Sequence, residues 1–309
     1  MGNELLLSQL AEAKAELTTV QDWLRFTAKV FAQANLFYGH GTDNPWDEAL
    51  QLIVWQTGVP LHKHEFVLDA RFTTTEKAQL CQAIAQRVGE RMPLPYITGQ
   101  AYFAELPFEV SRDTLIPRSP FAELIENGFQ PWLACPPRAL LDLCTGSGCI
   151  GIACALLFEE AEVDLSDISP PALAVAERNI EKYQLEERVT AIESDLFENL
   201  QGRRYDLIVS NPPYVDLSDL ATMPPEFQHE PALALGSGDD GLDFTRRLLR
   251  EARNFLTDDG VLIVEVGNSW NALEYAFPDV AFTWIEFEAG GHGVFLLTAA
   301  ELELLSGAL

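Results

Sequence analysis

Four consecutive residues, Asn211-Pro-Pro-Tyr214, close a short apolar run and carry the most specific chemistry in the chain. Two successive prolines stop a strand and stiffen the turn that follows. The Asn211 side-chain oxygen and the Pro212 carbonyl can each accept one N–H of a planar NH2 group, and Tyr214 offers a flat surface to stack on it. Such a nitrogen, in an amide or an aryl amine, is a poor nucleophile because its lone pair is delocalised. Gripping both hydrogens favours the pyramidal form that exposes the lone pair to an electrophile in line with it. No strong base is required, and the catalytic resource is orientation with preorganised electrostatics, of which orientation alone is worth on the order of 7–11 kcal/mol. Asn211, Pro212 and Tyr214 are therefore the expected catalytic residues, and Asn211, Pro212, Pro213 and Tyr214 the expected substrate grip.

The seat of the electrophile is sought upstream, where Asp142-Leu-Cys-Thr-Gly-Ser-Gly-Cys-Ile-Gly151 follows another apolar run. Gly146 and Gly148 let the backbone turn tightly and approach a ligand, and Gly151 permits close contact between helix and strand. The Gly-x-Gly-x-x-Gly spacing alone would also suit NAD. The acids narrow the choice. Asp142 is a poor neighbour for a pyrophosphate, whereas beside S-adenosyl-L-methionine it can hold water or the cationic amino group. Asp167, at the end of the next apolar run, is placed to accept both ribose hydroxyls. Asp195, after the third, is placed for an adenine amino group, with Leu196 or Phe197 against its face.

These residues need a frame. From about residue 136 short apolar runs alternate with helical patterns. The expected strands are Ala139–Leu143, Glu162–Ser166, Val189–Ile192, Leu207–Ser210 and Val261–Glu265, and the clearest helices are Pro171–Tyr183 and Leu242–Phe255. That rhythm means a mostly parallel, doubly wound sheet, which binds ligands at the carboxyl ends of its strands. Phe282–Phe287 and Val294–Thr298 read as a closing antiparallel pair. Residues 99–118 read as a β-hairpin with its turn near Ser111-Arg-Asp113. Before it the chain is helical. Leu10, Leu17, Leu24 and Phe31 form one apolar stripe, Thr73 and Glu76 a capping box, and Tyr38–Glu48 an irregular polar-aromatic loop suited to recognition or simply to joining helices. The expected organisation is a helical recognition domain over 1–98, a hairpin linker over 99–135, and a cofactor domain over 136–309.

Composition bounds the partners. Lys and Arg total 20 against 47 Asp and Glu, a net charge of −27. That surface repels phosphate backbones and favours basic partners, so no direct DNA binding is expected. No apolar run has the length of a membrane span, and the opening Met-Gly-Asn-Glu-Leu-Leu-Leu is not expected to be a signal peptide. Five cysteines, three of them at 144, 149 and 154, fit neither a disulfide framework nor a metal site, and read as small, mostly buried thiols of a cytoplasmic protein.

Asp142-Leu-x-Thr-Gly-Ser-Gly148 together with Asn211-Pro-Pro-Tyr214 resembles class I methyltransferases acting on planar NH2 nitrogens. Within these the chain is similar to the HemK-type protein-(glutamine N5) methyltransferases, through Arg91–Tyr96, Leu115–Pro120, His229-Glu-Pro231, Gly238-Asp-Asp-Gly-Leu242 and Glu265-Val-Gly267 as well. The resemblance implies an α/β class I methyltransferase with a Rossmann-like seven-stranded, mostly parallel sheet, antiparallel terminal strands, a small helical N-terminal domain and a hairpin linker. It implies S-adenosyl-L-methionine as cofactor, bound by Asp142, Cys144, Thr145, Gly146, Ser147, Gly148, Asp167, Asp195, Leu196 and Asn211. Leu196 stands where the family has a tryptophan flanking adenine. One branch methylates peptide release factors. The other, the PrmB branch, methylates a glutamine of large-subunit ribosomal protein L-three, and Tyr38–Glu48 and Asp142–Ile150 resemble that branch; the release-factor branch more often has Gly at the position of Cys144. A basic ribosomal substrate suits the acidic surface.

Three other readings stay open on sequence. An adenine-N6 nucleic-acid methyltransferase grips the same kind of NH2 group, and the charge opposes it. An NAD-dependent oxidoreductase fits the glycine spacing but gives Asn211–Tyr214 no purpose. A non-catalytic assembly factor would keep the fold without turnover.

Overall fold

The computed structural model describes residues 2–305; Met1 and the last four residues of the expected 136–309 domain lie outside the described residues. The chain forms two compact units, one made of its N-terminal stretch to Gln100 with Pro224–His229, the other of Ala101–Met223 with Glu230 onward.

The first unit is helical: α1 (Asn3–Glu16), α2 (Val20–Gln33), α3 (Pro45–Thr57), α4 (Thr74–Gly89) and α5 (Leu94–Thr98). The expected single stripe is split between two helices. Leu17 is extended, and Thr19 opens α2 through a capping box with Asp22, whose carboxylate takes the Thr19 amide at 3.0 Å. The local cap outweighs an apolar period that runs through it. Thr73 and Glu76 form the capping box read from sequence. Asn44 caps α3, accepting from the Trp46 and Asp47 amides, so the loop that begins at Tyr38 ends there and Glu48 lies inside the helix. Leu24, Phe31, Leu52, Leu80 and Ile84 build the core. Beside it sits a buried ionic cluster. Arg87, 1% exposed, meets Glu48 at 2.5 Å and Glu226 at 3.4 Å, and Glu226 also takes Arg91 at 2.9 Å and the Phe37 amide at 2.9 Å.

The second unit opens with a hairpin, β1 (Gln100–Phe103) and β2 (Leu106–Glu109), and the short helix α6 (Phe121–Glu126). The hairpin turns at Ala104-Glu105, both at positive φ, not at the expected Ser111–Asp113; the Ser111 hydroxyl instead donates to Asp113 in a local bend beyond the strands. There follow β3 (Ala139–Leu143), α7 (Cys149–Leu157), β4 (Glu162–Asp167), α8 (Pro170–Tyr183), β5 (Val189–Glu193), β6 (Tyr205–Ser210), α9 (Leu217–Thr222), α10 (Asp243–Glu251), β7 (Leu256–Glu265), α11 (Trp270–Ala276), β8 (Thr283–Trp284), β9 (Val294–Thr298) and α12 (Ala299–Leu305).

The seven strands β3 to β9 lie in the order β5-β4-β3-β6-β7-β9-β8, parallel from β5 to β7, with β9 antiparallel to β7 and β8 antiparallel to β9. The apolar runs explain this. Leu140, Leu207 and Ile263 face one layer, while Leu141, Ile208 and Leu262 face the other. Successive strand residues alternate faces, so runs apolar at every position are buried on both sides. The strand order reverses between β3 and β6, and the parallel registers pair Leu143 with Ser166 and with Ser210. The residues just past these strand ends therefore meet at one edge, the switch point where doubly wound sheets hold ligands.

Candidate active site

A cleft opens at that edge, walled by Cys144–Ser147 and Cys149, Asp167–Ser169, Ser194–Leu196, Asn211 and Pro213, and by two stretches from elsewhere, Asp113–Ser119 and Pro231–Ala234.

The turn after β3 is built around Asp142. Its carboxylate is fully buried and one oxygen accepts the Thr145 hydroxyl at 2.6 Å and the Gly151 amide at 2.8 Å. A Cβ on Gly151 would fall 2.2 Å from Leu165 and 2.9 Å from the Asp142 Cβ, so only glycine lets α7 come this close. Burial pushes the Asp142 carboxyl up to about 6, against the pull of its two hydrogen bonds. Cys144, Gly146 and Gly148 all have positive φ. A Cβ on Gly146 would meet nothing within 4 Å. The turn is tied to its neighbours. The Gly146 amide donates to Asp167 at 2.9 Å, and the Asn179 amide group donates to the Ser147 and Glu109 carbonyls at 2.8 and 3.0 Å.

Asp167 ends β4 with one oxygen on Gly146 and the other on the Ser169 amide at 2.9 Å. Burial raises its carboxyl above the ordinary range despite both bonds. Asp195 lines the cleft in an ion pair with Arg247 at 2.9 Å, and Leu196 beside it is buried at φ 50°. Ile168, Ala172, Leu196 and Phe244 make this part of the wall apolar. An apolar slot bordered by carboxylates that retain free lone pairs fits a nucleoside: flat base in the slot, hydroxyls and amino group on the acids.

After β6, Asn211 and Pro213 face the cleft and Pro212 is buried. Tyr214 does not line the cleft. Its ring packs on Gly267, where a Cβ would fall 2.5 Å from the ring, and its hydroxyl donates to Glu265 at 2.7 Å. Its carbonyl accepts from the Ser269 hydroxyl at 2.7 Å. Burial and the Glu265 carboxylate hold the phenol well above its usual range. Of the residues picked out by sequence, Cys144, Thr145, Gly146, Ser147, Asp167, Asp195, Leu196, Asn211 and Pro213 thus share one cleft wall. Asp142, Gly148, Pro212 and Tyr214 stand behind it.

Sequence reasoning assigned no role to two cations on the wall, Arg118 and Arg247. Arg118 is clamped by Glu230 at 2.6 and 2.8 Å, and the same carboxylate takes the Ile116 amide at 3.1 Å. Leu115–Pro120 and His229–Pro231 carried a signal only as stretches of family resemblance; Arg247 carried none, because its pairing with Asp195 depends on how α10 packs.

A doubly wound sheet with this glycine turn and these acids at its switch point, followed by Asn-Pro-Pro-Tyr, defines a class I methyltransferase, whose cofactor is S-adenosyl-L-methionine. The Methyltransferase small domain family model matches residues 130–226. Two relatives named ribosomal protein uL3 glutamine methyltransferase match nearly the whole chain. That of Francisella tularensis is 50% identical over 288 residues, 93% of this chain and 92% of its own. That of Neisseria gonorrhoeae is 47% identical over 293 residues, 94% of this chain and 98% of its own. This chain belongs to the uL3 glutamine methyltransferase family. Among the described residues no helix is long and apolar enough to cross a membrane.

Proposed function

We propose that the chain transfers the methyl group of S-adenosyl-L-methionine to the side-chain N5 of a glutamine in large-subunit ribosomal protein uL3. The observation that carries this reading is the shared cleft: Asn211 and Pro213 face the same space as the glycine turn and Asp167. The Asn211 side-chain oxygen and the Pro212 carbonyl hold the two hydrogens of the glutamine amide, leaving its lone pair in line with the donor. The cofactor supplies the activated methyl. Thr145 to Gly148 pass close to its methionine part, Asp167 takes the ribose hydroxyls, and Asp195 with Leu196 receives the adenine. Asp142 and Gly148 act from behind the wall, by fixing the shape of the turn. Tyr214 acts from behind the wall as well, by holding the end of the Asn211–Pro213 turn.

The substrate assignment rests on the names of the two relatives and on charge. A protein at −27 attracts a basic ribosomal protein over distances set by the Debye length. The helical domain expected over 1–98 serves recognition in this reading, with the exposed Trp46 and the acids Asp43 and Asp47 beside it as its contact surface. Isolated uL3, a release factor, RNA and DNA, each incubated with labelled cofactor, separate the candidates. Label on uL3 alone, declining as salt is raised, is the expected result; label on nucleic acid or on the release factor overturns it.

A further inference from the structure

We propose that Glu265 is the positioning residue for Tyr214, fixing the ring through its hydroxyl so that the Asn211–Tyr214 grip has one geometry. This deepens the reading above and rests on it. Glu265 ends β7 and is 5% exposed. It stands 51 positions along the chain from the tyrosine whose proton it accepts at 2.7 Å. Its other oxygen accepts the Ser119 hydroxyl at 2.5 Å, and Ser119 in turn takes the Phe121 amide at 3.2 Å. The carboxylate is thus held at both ends, one of them on the cleft wall.

A buried carboxylate costs free energy that an apolar residue of the same size would not, so its presence beside the grip asks for a purpose. The packing supplies one. Gly267, two residues beyond Glu265, leaves room for the ring, because a Cβ there would fall 2.5 Å from it. Gly241 leaves room for the backbone, since a Cβ there would fall 2.2 Å from the Tyr214 carbonyl oxygen, and Ser269 donates to that same oxygen. With the main chain held by Ser269 and the ring seated on Gly267 against the apolar layer, the hydroxyl adds a directional tie, and Glu265 is its acceptor. Asn211 is positioned separately, by β6 and by the prolines. Loosening Glu265 therefore disturbs Tyr214 and Ser119 while leaving the bonds that hold the glycine turn and Asp167 intact.

Five forms of the full chain test this: the unaltered protein, E265D, E265Q, Y214F and the Y214F/E265D double variant. The readouts are kcat and KM for methylation of uL3 and the Kd of S-adenosylhomocysteine, which also reports that each variant is folded. Aspartate is one methylene short of spanning both hydroxyls, and kcat falls about 10- to 100-fold, the scale of an ångström misplacement. Its Kd for S-adenosylhomocysteine stays within about threefold. Glutamine recovers most of that loss, because its oxygen accepts from Tyr214 and its NH2 donates to Ser119. In the Y214F background E265D costs no more than about threefold, since the hydroxyl it served is gone. The proposal is overturned if E265D leaves kcat unchanged, if it loses the same factor with and without the Tyr214 hydroxyl, if glutamine is as poor as aspartate, or if cofactor affinity falls in step with kcat. No transfer to uL3 by the unaltered protein overturns the functional reading, and this inference with it.

Discussion

The Gly151 amide donates to the Asp142 carboxylate at 2.8 Å, across a gap in which a Cβ on residue 151 would lie 2.9 Å from the Asp142 Cβ. The absence of a side chain on one residue and the complete burial of the other are the same fact: α7 lies directly on the end of β3. Gly151→Ala pushes the helix off the strand. Overpacking of this kind costs typically about 1–3 kcal/mol. Urea unfolding of the full chain measures that loss, and calorimetric titration with S-adenosylhomocysteine should show weakened binding as the turn is displaced. Unchanged stability and affinity would mean that the turn does not depend on this contact.

Asp142 also makes stability depend on pH. Burial lifts its carboxyl to about 6, above the ordinary 3.8. The folded chain then holds this proton in a range where the unfolded chain has released it. The stability it contributes is present in full below the unfolded value and is lost as pH rises through about 6. Asp142→Asn removes that dependence. The stability of the unaltered protein relative to Asp142→Asn therefore declines between pH 4.5 and 7, by an amount on the order of 2 kcal/mol. Denaturant titrations at a series of pH values check the sign; a relative stability that rises with pH contradicts it.

Asp167 joins the glycine turn to β4 and faces the cleft. Asp167→Ala removes the acceptor proposed for the ribose and also frees the Gly146 amide. Affinity for S-adenosylhomocysteine falls at least about 10- to 100-fold, the size of one or two charge-assisted hydrogen bonds. Binding within threefold of the unaltered protein would remove Asp167 from the cofactor site.

Much of this arrangement was legible in the chain. The β3 and β9 runs coincide with the strands observed, because a strand buried on both faces is apolar at nearly every position and ends where polar turn residues begin. From strand ends and a parallel order the positions of Asp167, Asp195 and Asn211 follow. Features resting on non-local pairing were not legible. The hairpin turn was misplaced because Ser111–Asp113 has turn chemistry of its own, while Ala104-Glu105 turns through two non-glycine residues at positive φ. The stripe through Leu17 hid a helix break that a single threonine cap enforces. Tyr214 reads from sequence as a free stacking platform; its orientation is set by Gly267 and Glu265, which no local pattern connects to it. The wall formed by Asp113–Ser119 falls within what reads as a linker.

Within the helical unit, Glu226 is fully buried between Arg87, Arg91 and the Phe37 amide. Glu226→Ala leaves the buried Arg87 guanidinium with Glu48 and the Phe37 carbonyl but without its second carboxylate. Breaking one side of such a cluster costs about 3–5 kcal/mol, toward the lower end here because Arg87 keeps Glu48. Unfolding followed by tryptophan fluorescence reads the change, since Trp23 lies in this unit's core. A loss below about 1 kcal/mol would mean that the cluster is neutral toward stability.

The central claim is that Asn211 holds an amide nitrogen beside a methyl donor. Isolated uL3 incubated with S-adenosyl-L-methionine and the protein, followed by mass mapping of the peptides, tests it most directly. The account predicts one added methyl group on a single glutamine side chain. With Asn211→Ala, turnover drops about 10²- to 10³-fold while S-adenosylhomocysteine affinity changes only a few fold. Methylation at a lysine, arginine or terminal amine, or an Asn211→Ala variant that loses cofactor binding and turnover in equal measure, contradicts it.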